Sequence, residues 1–159
     1  MNISKLELER GYNAIKRIID VYIRENDIKW VASEVSPNKF SDMKDHYQTN
    51  GEFLVYSGGN HGHLGEGYNI KFRAVHDFMH LKHNLTFKFE DEKKLSDITI
   101  LAFRSIAADL GYSLEVRKII GKIINAEIRG QIEYYELNKK YVTDQKQFIE
   151  EYLNVSWYY

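Results

Sequence analysis

Phe72 to His83 reads Phe-Arg-Ala-Val-His-Asp-Phe-Met-His-Leu-Lys-His, which sets His76, Asp77, His80 and His83 within eight residues. Imidazole nitrogens are the commonest metal ligands, and a pair at i and i+4 offers two of them to one ion from consecutive helical turns. A carboxylate beside such a pair can complete the ligand set, orient a ring or act as a general base. The competing reading is a histidine-rich surface, or a buried imidazole held by hydrogen bonds alone. This stretch leaves the two open. At about 100° per residue, His76, His80 and His83 share one side of a helix with Arg73 beside them, and Asp77 is turned away by about a quarter turn or more.

Two later segments carry polar groups on apolar faces, as though built to face that stretch. Glu92 projects onto the same helical face as Leu95, Thr99, Phe103, Ile106 and Leu110, which is the buried side. Its position in the first turn also allows it to reach water. Glu127 and Gln131 fall near the middle of the apolar face marked by Ile120, Ile123, Ile124 and Tyr134. A carboxylate there costs several kcal/mol if ionised and unpaired, so it needs a metal, a histidine or an arginine. Gly130, on the same side, invites close approach by a helix or a ligand, since an interior helical glycine costs about 0.5–1 kcal/mol relative to alanine. A structural buried salt bridge is the alternative.

The elements that must position these groups are mostly helices. Ser4 and Glu7 form a capping-box pattern, and Leu8, Tyr12, Ile15, Ile18, Ile19 and Tyr22 recur at helical spacing, so a helix is predicted over Lys5–Arg24. From Asn26 to Tyr68 the period changes. Short strands are expected at Ile28–Ala32 and Glu52–Tyr56, with the only proline, Pro37, between them. Ser57–Gly67 contains five glycines and reads as loop: a flexible connector, a flap over the polar centre or a cradle of backbone N–H groups. His61 and His63 in it can be solvated or metal-bound. Further helices are expected over Asn69–Leu85, within Thr86–Gly111, from Leu114 to about Lys140 behind a Ser113 cap, and from Thr143 through Leu153. The expected fold is therefore mainly α: a bundle of about five helices in a single domain over residues 1–159, with a β- and loop-rich insertion at 26–68.

Composition narrows the function classes. The chain has 159 residues, 43% hydrophobic and 28% charged, ordinary values for a globular protein. Its net charge of −1 gives no general attraction to polyanions, so nucleic acid is not an expected partner. With no cysteine there is no disulfide, thiolate metal site or cysteine nucleophile, which fits a reducing cytosol. No apolar run approaches the roughly 20 residues of a membrane span, and the N-terminus lacks a signal-peptide layout.

Phe72-Arg-Ala-Val-His76-Asp77-x-x-His80, Phe87 and Glu92, Ala126-Glu127-x-x-Gly130-Gln131-x-x-Tyr134 and Asp144-Gln145-x-x-Phe148 together resemble a family of small tailed-bacteriophage proteins with an F-R-A-V-H-D-x-x-H … E … A-E-I-x-G-Q pattern. The resemblance covers about Ile70 to Leu153. It implies a phage origin, a host-cytoplasmic location, and that His76, Asp77, His80, Glu92, Glu127 and Gln131 belong together; it implies no activity. Ala74-Val75-His76-Asp77-x-x-His80 is also similar to the central signature of HD-domain metal phosphohydrolases. That family needs a further histidine on a preceding helix and a later aspartate. Here His61 and His63 lie in the glycine-rich loop, and Asp97 and Asp109 project away from the Glu92 face.

The first functional expectation is a metal-dependent hydrolase acting on a small molecule such as a nucleotide or phosphate ester. His76, His80, Glu92 and Glu127 supply ligands to a divalent ion (Zn, Mn or Mg), Asp77 orients a histidine or serves as base, and Arg73 and Gln131 hold substrate. The alternative is a non-enzymatic accessory protein that binds or inhibits a host protein. Its polar centre would be structural, and aromatic residues such as those of the Trp157-Tyr158-Tyr159 tail would form the interface.

Overall fold

A computed structural model describes residues 2–59 and 61–156. The fold is mainly α, as the periodicity predicts. The first helix, α1 (Lys5–Asn26), runs through the centre of the core. Its start is fixed by the expected capping box: Glu7 N donates to Ser4 Oγ at 3.1 Å and Ser4 N donates to Glu7 Oε2 at 2.8 Å. Leu8, Tyr12, Ile15, Ile18, Ile19 and Tyr22 all point inward and are at most 6% exposed. Gly11 lets α5 (Leu114–Asn125) approach closely, because a Cβ there would stand 2.5 Å from Ile123 Cδ1 and 2.7 Å from Ile119 Cγ2.

The insertion is more ordered than its sequence suggests. β2 (Trp30–Ser33) and β3 (Phe53–Tyr56) pair in parallel, with Trp30 opposite Phe53 and Ser33 opposite Tyr56. Parallel strands need a crossover connection, and α2 (Phe40–Asn50) supplies it. The sequence pattern does not announce this helix. Its apolar side is only Phe40, Met43 and Tyr47, and no side chain caps its start; the left-handed Gly51 (φ 68°) ends it. The strands also sit one to two residues from their expected bounds, and Ile28 is a core residue outside β2.

The glycine-rich segment forms a single 3₁₀ turn (Gly62–Leu64) and then the first turn of α3 (Gly65–His83), so this helix begins earlier than its apolar periodicity. α4 (Phe89–Asp109) and α5 (Leu114–Asn125) pack against each other and against α1. The long helix expected from Leu114 is interrupted. A π-helical turn at Ala126–Gly130 joins α5 to α6 (Gln131–Asn138). α7 (Gln145–Tyr152), capped by Asp144 rather than Thr143, lies against the π turn, where the Tyr152 ring comes within 3.0 Å of the position a Gly130 Cβ would take. A helix, not a ligand, explains that glycine. Finally β4 (Val155–Ser156) pairs in parallel with β1 (Ile3–Ser4) and ties the ends together. The aromatic tail 157–159 lies outside the described residues.

Candidate metal centre

α3 ends at Asn84, whose left-handed conformation (φ 51°) turns the chain back over the last helical turn. Leu85 then bonds His80 twice. Its N–H donates to the His80 carbonyl at 3.0 Å, and its own carbonyl lies 2.8 Å from His80 Nδ1. A carbonyl can only accept, so His80 Nδ1 carries a proton, and Nε2 is the nitrogen left free whenever the ring is neutral. Thr86 closes the corner: its N and Oγ1 both donate to Asp91 Oδ2, at 2.9 and 2.7 Å. Asp91 is thereby held in the first turn of α4, and Glu92, the next residue, faces α3.

Two imidazole nitrogens and both oxygens of one carboxylate converge there. His76 Nε2 is 3.0 Å from Glu92 Oε2, His80 Nε2 is 3.0 Å from Glu92 Oε1, and the two Nε2 atoms are 3.1 Å apart. Among the described residues this is the group of histidine and carboxylate side chains with metal-ligand geometry. With ligand bonds of about 2.0–2.1 Å, separations of this size subtend angles of roughly 90–100° at a common ion, as on one face of an octahedron or a compressed tetrahedron. His80 has only 1% of its side-chain surface exposed, while His76 and Glu92 keep 22% and 12%, so solvent reaches the group along His76. Phe87 stacks edge-on against His80 at 4.8 Å, and Phe40 of α2 packs on Phe87. The crossover helix of the insertion therefore builds part of the centre's wall.

Electrostatics makes Glu92 a standing anion. Burial by itself would raise its pKa. The charge and hydrogen bond of His76, followed by those of His80, outweigh that and hold it down to about 2. The α4 N-terminus favours an anion at the same place. Asp77 behaves in the opposite way: protein crowds its carboxyl, and burial with the nearby Glu92 charge pushes it up to about 7 against the pull of His80 and Arg73. Asp77 stands beside the three-residue group and is not part of it.

Of the remaining expected site residues, Arg73 lies over the Tyr56 ring and donates through Nη1 to the carbonyls of Tyr56 and Gly58, at 2.6 and 2.9 Å. Through Nη1 it anchors β3 and the glycine-rich segment to α3. His83, at the exposed end of α3, does not join its neighbours. Glu127 and Gln131 do not reach the histidines either. They form a second polar centre in which Tyr12 Oη donates to Glu127 Oε1 at 2.5 Å and Gln131 Nε2 donates to Glu127 Oε2 at 3.1 Å. The His63 ring stacks on Tyr12 at 4.9 Å, and its Nε2 lies 3.4 Å from Glu150 Oε1. Glu127 is therefore removed from the expected ligand set. The helical projection does put Glu127 on a buried face, but that face meets Tyr12 of α1 and not α3. The carboxyl meets its burial cost with two neutral donors and a pKa pushed up to about 7, the Tyr12 bond only partly opposing the effect of burial. Tyr12, His63 and Glu150 carry no sequence signal for this role, since Tyr12 reads as an ordinary core position.

No family model, curated protein or solved structure matches the chain.

Proposed function

We propose that the chain is a metal-dependent hydrolase, phage-encoded and acting in the host cytoplasm, with a divalent ion held by His76 Nε2, His80 Nε2 and Glu92. One observation carries the metal reading. The Nε2 atoms of His76 and His80 lie 3.1 Å apart, and each lies 3.0 Å from a different oxygen of Glu92. His80 Nδ1 already donates its proton to Leu85 O. With two neutral rings, His76 Nε2–H can satisfy one Glu92 oxygen, but His80 Nε2 then points a lone pair at the other. The arrangement needs a positive charge at its centre, either one extra proton or a metal ion. An ion is the solution we favour, because it takes the lone pairs of both rings and of the Glu92 carboxylate at once. The Leu85 carbonyl on His80 Nδ1 is the outer-shell partner that metal-bound histidines ordinarily have.

The step to hydrolysis follows from coordination chemistry. A divalent ion bound by two imidazoles and a carboxylate would supply Lewis acidity and a water of lowered pKa. Zinc and manganese suit this donor set better than magnesium, which prefers oxygen ligands. Asp77 lies next to the group and is the side chain available to exchange a proton with bound water. Protein loaded with Zn²⁺ or Mn²⁺ is expected to hydrolyse p-nitrophenyl phosphate or bis(p-nitrophenyl) phosphate, and Glu92→Gln to abolish that activity while leaving the circular-dichroism spectrum intact. Loaded protein with no activity on either ester would remove the phosphate-ester assignment.

A non-enzymatic accessory protein is the second reading. It is favoured by the closure of the centre on itself, since the same contacts form a hydrogen-bonded knot once one imidazole is protonated. That reading expects His80→Ala to lower stability to the same extent with and without added metal.

A further inference from the structure

β2 and β3 make a sheet of only two strands, and β2 has one open edge. A two-stranded sheet is marginal by itself, and a further strand or a covering element normally completes it. The ladder fixes which way the β2 backbone faces. Phe53 N donates to the Lys29 carbonyl at 2.9 Å, and Ser57 N donates to the Ser33 carbonyl at 2.7 Å. Alternate residues of a strand turn to the same neighbour, so Lys29, Val31 and Ser33 serve β3. Trp30 and Ala32 turn their N–H and C=O groups the other way. Among the described residues no other strand or loop backbone bonds those groups. The edge also lacks the usual protection, since Trp30–Ser33 holds no charged residue and no proline. Val31 is 44% exposed, Ala32 is exposed and Trp30 is half-buried.

We infer that this edge pairs with the same edge of a second copy of the chain, antiparallel about a two-fold axis at Val31. Such pairing requires an edge that complements itself, and this one does. With the axis at Val31, Trp30 of one copy lies opposite Ala32 of the other, and every outward N–H and C=O of β2 is used in reciprocal hydrogen-bonded pairs. An axis at Ala32 would instead set Trp30 against Glu34, where the chain bends out of the strand. An axis between residues would set outward groups against residues already committed to β3. The side chains agree with the backbone. Val31 meets its own counterpart on the exposed face, β-branched against β-branched, in the close non-hydrogen-bonded position. The large Trp30 ring lies across from the small Ala32 on the other face. Lys29 faces Ser33, so no like charges are opposed. Each copy contributes one short strand to the contact, so the dimer is weak and forms at high protein concentration.

Analytical ultracentrifugation of the full chain in EDTA, from micromolar to millimolar protein, tests the pairing independently of any metal. The wild type is expected to pass from monomer to dimer mass over that range. Ala32→Pro removes an outward N–H and leaves the β3 ladder whole, so it should stay monomeric with an unchanged circular-dichroism spectrum. Val31→Lys sets like charges against each other at the axis and should stay monomeric too. The chain has no cysteine, so Val31→Cys adds a single thiol beside its counterpart, within disulfide reach. It is expected to oxidise to a covalent dimer faster than Val35→Cys, although Val35 is the more exposed at 73%. A wild type that remains monomeric at millimolar protein overturns the inference. So does a dimer that survives both Ala32→Pro and Val31→Lys, or cross-linking of Val35→Cys as fast as Val31→Cys.

Discussion

Replacing Glu127 by glutamine isolates the energetics of the second polar centre. The carboxyl is pushed from 4.5 up to about 7, chiefly by burial. A raised folded-state pKa means that the native state favours the protonated form. The associated stability is fully present below about pH 4.5, declines as pH rises, and is lost once pH passes about 7. A shift of this size corresponds to about 3 kcal/mol at 1.36 kcal/mol per unit. A glutamine side chain at this position would present a neutral carbonyl to Tyr12 Oη at every pH, and the Gln131 amide can turn to accept from its NH₂ group. Glu127→Gln should therefore match the wild type near pH 4.5 and exceed it by about 2–3 kcal/mol at pH 8. Asp77 titrates over the same window, but it contributes equally to both proteins and cancels in the difference. Urea unfolding at pH 4.5, 6, 7 and 8 measures this. Parallel stability profiles, or a variant less stable than wild type at pH 8, would refute the placement of an unpaired carboxyl among neutral donors.

Two further outcomes follow from packing and anchoring. Gly11→Ala gains helix propensity but drives a methyl into Ile119 and Ile123, so a net loss of about 1 kcal/mol or more is expected in denaturant unfolding, whereas a stabilised variant would contradict the α1–α5 contact. Arg73→Met removes two charge-assisted bonds to the Tyr56 and Gly58 carbonyls, so it should cost about 2 kcal/mol and speed proteolysis near Gly58, with metal affinity changed little.

Local signals make much of this molecule legible. The α1 capping box, the Ser113 cap and the i, i+4 histidines depend on neighbours in the chain, and the structure realises each of them. Glu92 is readable because α4 is regular, so its projection onto the buried face holds. A helical projection puts Glu127 on a buried face but cannot say which element that face meets. Its partner Tyr12 lies 115 positions away, a separation that no period can report. A weak apolar stripe hides α2, since a crossover helix over a two-stranded sheet buries only Met43 fully. The Arg73 anchor is not legible because the backbone carbonyls that Nη1 bonds have no sequence identity.

X-ray absorption on protein loaded with one equivalent of Zn²⁺ tests the metal centre most directly. Two imidazole nitrogens and carboxylate oxygen are expected at about 2.0–2.2 Å, with one imidazole lost in His80→Ala and the oxygen contribution altered in Glu92→Gln. An oxygen-only shell, or a spectrum unchanged by both substitutions, would contradict a centre built from His76, His80 and Glu92.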